Sequence, residues 1–143
     1  MFMKKVAIIM GSDSDLPIAE KAVNVLKDFN VPFEVHVFSA HRTPVEAKAF
    51  SENAKANGFG VIIAIAGMAA HLAGAIAANT TLPVIGIPVA TVAIDGGANA
   101  ALLALEILAV SDDELSEKLV QKRKNDTAVV LEKNKAIEEK FNF

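Results

Sequence analysis

The chain has 143 residues, a formal net charge of −3, 52% hydrophobic residues and no cysteine. That length sets a single domain, 1–143, able to bury its own core. The missing cysteines exclude disulfides, thiolate metal sites and a cysteine nucleophile, and the slight acidity gives no electrostatic footprint for a nucleic-acid partner.

The elements follow from hydrophobic periodicity. Lys5–Met10 is a continuous apolar run ending in Gly11-Ser-Asp-Ser-Asp15, which predicts a buried strand and a turn. The run is too short for a secretory signal. Leu16–Phe29 has apolar residues at helical spacing. Phe33–Phe38 reads as a second strand, followed by Ser39-Ala-His-Arg42. Thr43-Pro-Val-Glu46 has the form of a capping box with proline at the first helical position, opening a helix to about Asn57 with Gly58 as its C-terminal cap.

Gly60–Ala66 is a third apolar strand, Gly67 a turn and Ala69–Ala78 a helix. The stretch from Val61 to Ala78 changes from β-branched to alanine-rich, so it reads as strand, turn and helix rather than a membrane span. A cytoplasmic protein with no membrane partner is expected. Pro83–Ile87 is a fourth strand, and Leu82–Ile94 resembles two strands run together. A parallel crossover takes a dozen or more residues, and none stand between Val89 and Ala90. Either the second half is not a parallel strand, or a connecting segment is absent from this sequence.

Ala98–Val110 is apolar all round except for Glu106, which predicts burial in the core or an interface. Ser111-Asp-Asp-Glu114 has the form of a second capping box, and a charged, amphipathic helix follows. This divides the domain into a sheet-and-helix core, 1–110, and a helical extension, 111–143, that covers the sheet or reaches a neighbour. The apolar share exceeds what a monomer of this size usually needs to bury, which points to self-association. Apolar strands alternating with helices predict an α/β fold: a three-layer αβα sandwich with a flavodoxin-like parallel sheet in the order 2-1-3-4-5.

Ligands of open α/β sheets bind beyond the carboxyl ends of the strands. Three strand ends carry unusual chemistry: residues 11–15, 39–42 and 67–72. Small polar residues there can be plain turn formers, and Ser14 or Asp15 could simply cap the next helix. His41 and Arg42 are harder to dismiss, since neither is needed to start the helix at Thr43. An arginine beside helix N-termini suits a phosphate. His36 lies mid-strand and reads as structural. The spacing of His36, His41 and His71 is not that of metal ligands. Neither a G-x-G-x-x-G nor a G-x-x-x-x-G-K-[ST] motif is present. The residues thus support a small phosphorylated ligand and a proton-moving histidine, and leave the reaction open.

Gly-Ser-Asp-Ser-Asp (11–15), Ser-Ala-His-Arg-Thr-Pro (39–44), Gly-Met-Ala-Ala-His-Leu-Ala-Gly (67–74), Leu-Pro-Val-Ile-Gly-Ile-Pro-Val (82–89) and Ala-Asn-Ala-Ala-Leu-Leu-Ala (98–104) resemble, in order and over nearly the whole chain, the PurE family of purine biosynthesis. Arg42-Thr-Pro is similar to the class I members, which are N5-carboxyaminoimidazole ribonucleotide mutases. The class II members, carboxylases that use CO₂ directly, carry Lys-Gly-Pro there. The resemblance implies transfer of a carboxylate from the exocyclic nitrogen to carbon 4 of the imidazole, without metal or cofactor. It implies His41 as general acid and base and His71 as its assistant. It places Ser12 and Asp15 on the substrate, Ser39 and Arg42 on its phosphate, and Gly67 and Leu72 in the turn against the base. It implies a homo-octamer whose C-terminal helix packs on a neighbouring subunit. Two departures stand out. Met68 occupies a position that is commonly glycine, and the family's loop-and-helix segment is missing at Val89–Ala90, which favours an absent connecting segment. A class II carboxylase and a non-catalytic nucleotide-binding module of the same fold are the alternatives.

Overall fold

The computed structural model describes residues 2–67, 71–87 and 95–141. Strands β1 (Lys5–Met10), β2 (Phe33–Val37), β3 (Phe59–Ile65) and β4 (Val84–Ile87) form one parallel sheet in the order β2-β1-β3-β4. The expected fifth strand falls on residues outside those described, as do Met68 and the Val89–Ala90 junction. Among the described residues, five α-helices flank the sheet: α1 (Leu16–Asp28), α2 (Pro44–Asn53), α3 (Leu72–Ala77), α4 (Gly97–Ala109) and α5 (Asp113–Phe141).

Strand alternation builds two cores, one on each face. Val6, Ile8, Val61, Ile63 and Ile85 pack with α1, α4 and the start of α5. Ala7, Ile9, Ile62 and Ala64 pack with Leu72 and Ile76 of α3 and with Ala54 and Phe59. Both faces of the central strands are therefore dry, which is why β1 and β3 read as unbroken apolar runs. Burying a side chain such as Ile63 stabilises the fold by roughly 1.5–3 kcal/mol.

The helix ends refine the expectations. Asn30 adopts a left-handed conformation (φ 55°), and the N–H groups of Asn30 and Val31 donate to the Lys27 and Leu26 carbonyls, closing α1. Helix α2 stops at Asn53, four residues before the expected end, and the chain turns through Gly58 (φ 86°) into β3. The second cap is shifted by one residue: Asp112, not Ser111, accepts from the Leu115 N–H at 2.9 Å. Helix α4 buries Ala100, Ala101, Ala104 and Leu105, while Glu106 faces out to Arg123 of α5 at 2.9 Å. Lys21 of α1 pairs with Asp95 just before α4. Helix α5 anchors through Leu115 and Leu119; beyond them it is exposed at nearly every position, including Val129, Val130, Leu131, Ile137 and Phe141. No helix among the described residues is long and apolar enough to cross a membrane.

Register fixes where the turns meet. Met10 lies opposite both Val37 and Ile65, and Ile65 lies opposite Ile87. The four strands thus end level, and one more rung extends the sheet at that rim. Phe38 N–H donates to Met10 O, Gly11 N–H to Ile65 O and Ala66 N–H to Ile87 O, at 2.8–2.9 Å.

Candidate active site

The level strand ends gather the first, second and third turns around one cavity of about 360 Å³, a size suited to a small-molecule ligand. Ser12 and Asp15 line it from the first turn, Ser39, His41 and Arg42 from the second, and Gly67 and Leu72 from the third. His71 is not among the lining residues. It stands exposed at the N-cap of α3, and its ring lies over Gly74, where an added Cβ would overlap Nε2, Cε1 and Cδ2.

In the first turn, Ser12 Oγ accepts from the Ser14 N–H at 3.3 Å and caps a short 3-10 turn, Asp13–Asp15. Asp15 occupies the N-cap position of α1 but makes no capping hydrogen bond with its side chain. Asp15 is instead a largely buried part of the cavity wall. The capping role considered for Ser14 or Asp15 at α1 is therefore not taken: Asp15 leaves it unfilled, and the Ser14 hydroxyl meets Ser12 Oγ at 3.0 Å.

In the second turn, the capping box expected at Thr43 is absent: Thr43 makes no side-chain bond to the start of α2. Its hydroxyl turns back to Ser39, accepting from the Ser39 N–H at 2.8 Å and donating to the Ser39 carbonyl at 3.1 Å. Ser39 Oγ in turn accepts from the N–H groups of His41 and Arg42 at 3.3 and 3.1 Å. Arg42 Nη2 donates to Gly11 O at 2.9 Å, tying the second turn to the first. Gly11, Ser12, Ser39 and Arg42 also border an adjoining cavity of about 270 Å³, so the Arg42 side chain belongs to the wall of both.

Gly11, Ser14 and Ala40 also line the larger cavity, from turns that sequence reasoning singles out without giving these three a site role, and Ala66 lines it from outside those turns. Gly11, Ala40 and Ala66 offer little beyond backbone, so only their place beside strand ends marked them. His36 is held away from the cavity, stacked on Phe38 at 5.4 Å and tilted on Phe50 at 4.9 Å, with Glu34 Oε2 at 3.2 Å. Lys5 Nζ, 2.6 Å from Glu34 Oε1, holds the Glu34 carboxyl below its usual range; burial opposes this and His36 adds to it. Among the described residues no three His, Asp or Glu side chains cluster as a metal-binding set.

Comparison with known proteins decides the family. The model of the family described as AIR carboxylase matches residues 5–90 and 86–128. The chain belongs to the AIR carboxylase family. It is 48% identical to the N5-carboxyaminoimidazole ribonucleotide mutase of Methanocaldococcus jannaschii, over 95% of this chain and 99% of that protein. It is also 48% identical to the phosphoribosylaminoimidazole carboxylase of Saccharomyces cerevisiae, over 81% of this chain but only 24% of the yeast protein. The crystal structure of Treponema denticola PurE superposes with a TM-score of 0.83 at 22% identity, covering 97% of this chain and 99% of that one, so the α/β fold is shared. The archaeal alignment spans 158 positions against a chain of 143 residues, leaving at least 15 without a counterpart here. The family model is matched in two stretches that meet at 86–90.

Proposed function

We propose that this family member is an N5-carboxyaminoimidazole ribonucleotide mutase of purine biosynthesis, an isomerase that moves a carboxylate from the exocyclic nitrogen to carbon 4 of the imidazole. The observation that carries the reading is the convergence of Ser12, Asp15, Ser39, His41, Arg42, Gly67 and Leu72 on one cavity in a chain of this family. The mutase is favoured over the carboxylase because the relative bearing the mutase name matches along 99% of its length, whereas the yeast protein matches along only 24% of its length.

Arg42 and Ser39 bind the phosphate, Asp15 the ribose hydroxyls with Ser12 beside it, and Gly67 and Leu72 pack on the base. His41 gives a proton to the exocyclic nitrogen as its bond to the carboxylate carbon breaks and CO₂ departs. The ring's carbon 4 then attacks the CO₂ held against it, and His41 removes the proton that carbon 4 has to lose. One histidine thus acts first as acid and then as base. His71 assists from the rim. Holding CO₂ beside the ring makes recapture intramolecular in effect, which requires a site closed to water. No metal or organic cofactor enters the scheme.

The exposed apolar residues of α5 support burial on a neighbouring subunit, in an octamer, and the chemistry suits a cytoplasmic enzyme. The two-part family match supports the loss of a crossover segment near Val89–Ala90 in this sequence relative to its relatives. The test is incubation with N5-carboxyaminoimidazole ribonucleotide, following absorbance of the carbon-4 product, for wild type and His41→Asn. Wild type turns over, and His41→Asn does not, while its nucleotide affinity stays within about tenfold, or 1.4 kcal/mol. An inactive wild type that still binds nucleotide makes the chain a binding module. A wild type active only on aminoimidazole ribonucleotide plus CO₂ makes it a carboxylase.

A further inference from the structure

We propose that Thr43 is a positioning residue: its hydroxyl clasps the His41–Arg42 turn and sets the reach of both side chains. The inference rests on the functional reading above, in which that turn supplies the acid–base and phosphate groups.

A threonine at the N-cap ordinarily spends its hydroxyl on an amide of the first helical turn. Thr43 does not, although it stands at the N-cap of α2. Its φ of −133° and ψ of 57° lie outside the helical region, and its hydroxyl turns back along the chain. There it closes a ring on Ser39 from both sides, accepting from the N–H at 2.8 Å and donating to the carbonyl at 3.1 Å. The Thr43 N–H also donates to that carbonyl, at 2.9 Å. Five residues are thereby pinned at their two ends, with His41 and Arg42 between.

The clasp also fixes what Ser39 has to offer. A hydroxyl has two acceptor sites and one donor. The N–H groups of His41 and Arg42 take the acceptor sites of Ser39 Oγ. The proton is what remains for a ligand, and a donor is what an acceptor-only phosphate oxygen needs. Releasing Ser39 would loosen the amides of both functional residues and free this hydroxyl to turn.

Thr43→Val keeps the shape and removes the hydroxyl; Thr43→Ser keeps the hydroxyl and removes the methyl. Two readouts separate the clasp from the reaction. The first is hydrogen exchange of the Ser39 amide in the ligand-free protein, expected to quicken about tenfold in Thr43→Val and to return in Thr43→Ser. The second is turnover of N5-carboxyaminoimidazole ribonucleotide, where displacement of about 1 Å at both side chains lowers kcat/KM by about 100-fold, in kcat as well as KM. Thr43→Ser restores it to within about threefold. Unchanged Ser39 exchange in Thr43→Val overturns the clasp whatever the activity. Faster exchange with unchanged kcat and KM overturns the positioning role. If wild type turns nothing over, the functional reading fails, and the exchange data still judge the clasp.

Discussion

Replacing Gly74 with alanine tests whether the His71 ring assists the reaction from its place over that glycine. The three heavy atoms nearest to an added Cβ all belong to the His71 ring, Cδ2 at 2.6 Å and the other two closer still. Carbon atoms in good contact sit at about 3.5–4.0 Å, so the ring must move by more than about 1 Å. The backbone itself has no objection to alanine. Gly74 lies inside α3 without a positive φ, where alanine is favoured over glycine by roughly 0.5–1 kcal/mol. The variant is therefore expected to be as stable as wild type or slightly more so, yet slower. The loss has a ceiling, since moving His71 away cannot cost more than deleting it. With His71 as an assistant, His71→Ala costs about 10- to 100-fold in kcat/KM, and Gly74→Ala the same or less. A double-mutant cycle isolates the link. In the His71→Ala background, Gly74→Ala should add nothing, because no ring remains to be displaced. An equal loss in both backgrounds, or full activity of the single variant, would refute the reasoning.

Two further outcomes follow from charge and exposure. The Glu34 carboxyl is held low in the fold by Lys5, so its contribution is present above its unfolded pKa and is lost as pH falls through the lower folded value. Glu34→Gln should cost up to about 1 kcal/mol at pH 7, since the pair is partly exposed and screened, and chemical denaturation at successive pH values should find the two proteins converging in acid. Ending the chain after Gln121 keeps Leu115 and Leu119 in the core and removes the exposed apolar part of α5. Light scattering should report fewer subunits per assembly and circular dichroism an intact core; an unchanged number of subunits would exclude this part of α5 from assembly.

The sheet was legible because parallel strands covered on both faces need apolar residues at every position, and β1 and β3 have them. The site followed from the sheet: three polar turns after level strands had to meet at one rim. The hydrogen bonds within the turns were not legible. A threonine before proline and three residues before glutamate spells a cap, and only tertiary geometry turns the Thr43 hydroxyl to Ser39. Ser111 and Asp112 compete for one cap with nearly equal chemistry, and the exact start of α5 decides it. His71 stood beside its neighbours in the motif, but its ring direction depends on a bare glycine three residues on. The tail showed an amphipathic pattern, of which Leu115 and Leu119 enter the core while the apolar positions beyond them stand exposed in the described chain.

The bond from Arg42 to the Gly11 carbonyl has a bearing on affinity. A long arginine on a surface loop samples many rotamers, and freezing it on binding costs about 1 kcal/mol. Here the guanidinium is already oriented across the rim by Gly11 O at 2.9 Å. Much of that ordering is completed when the protein folds, so the phosphate proposed for this site would meet a preset fork rather than a roaming charge. The exchange it must win is against a single neutral carbonyl, and the anion's full charge gives it the stronger hydrogen bond.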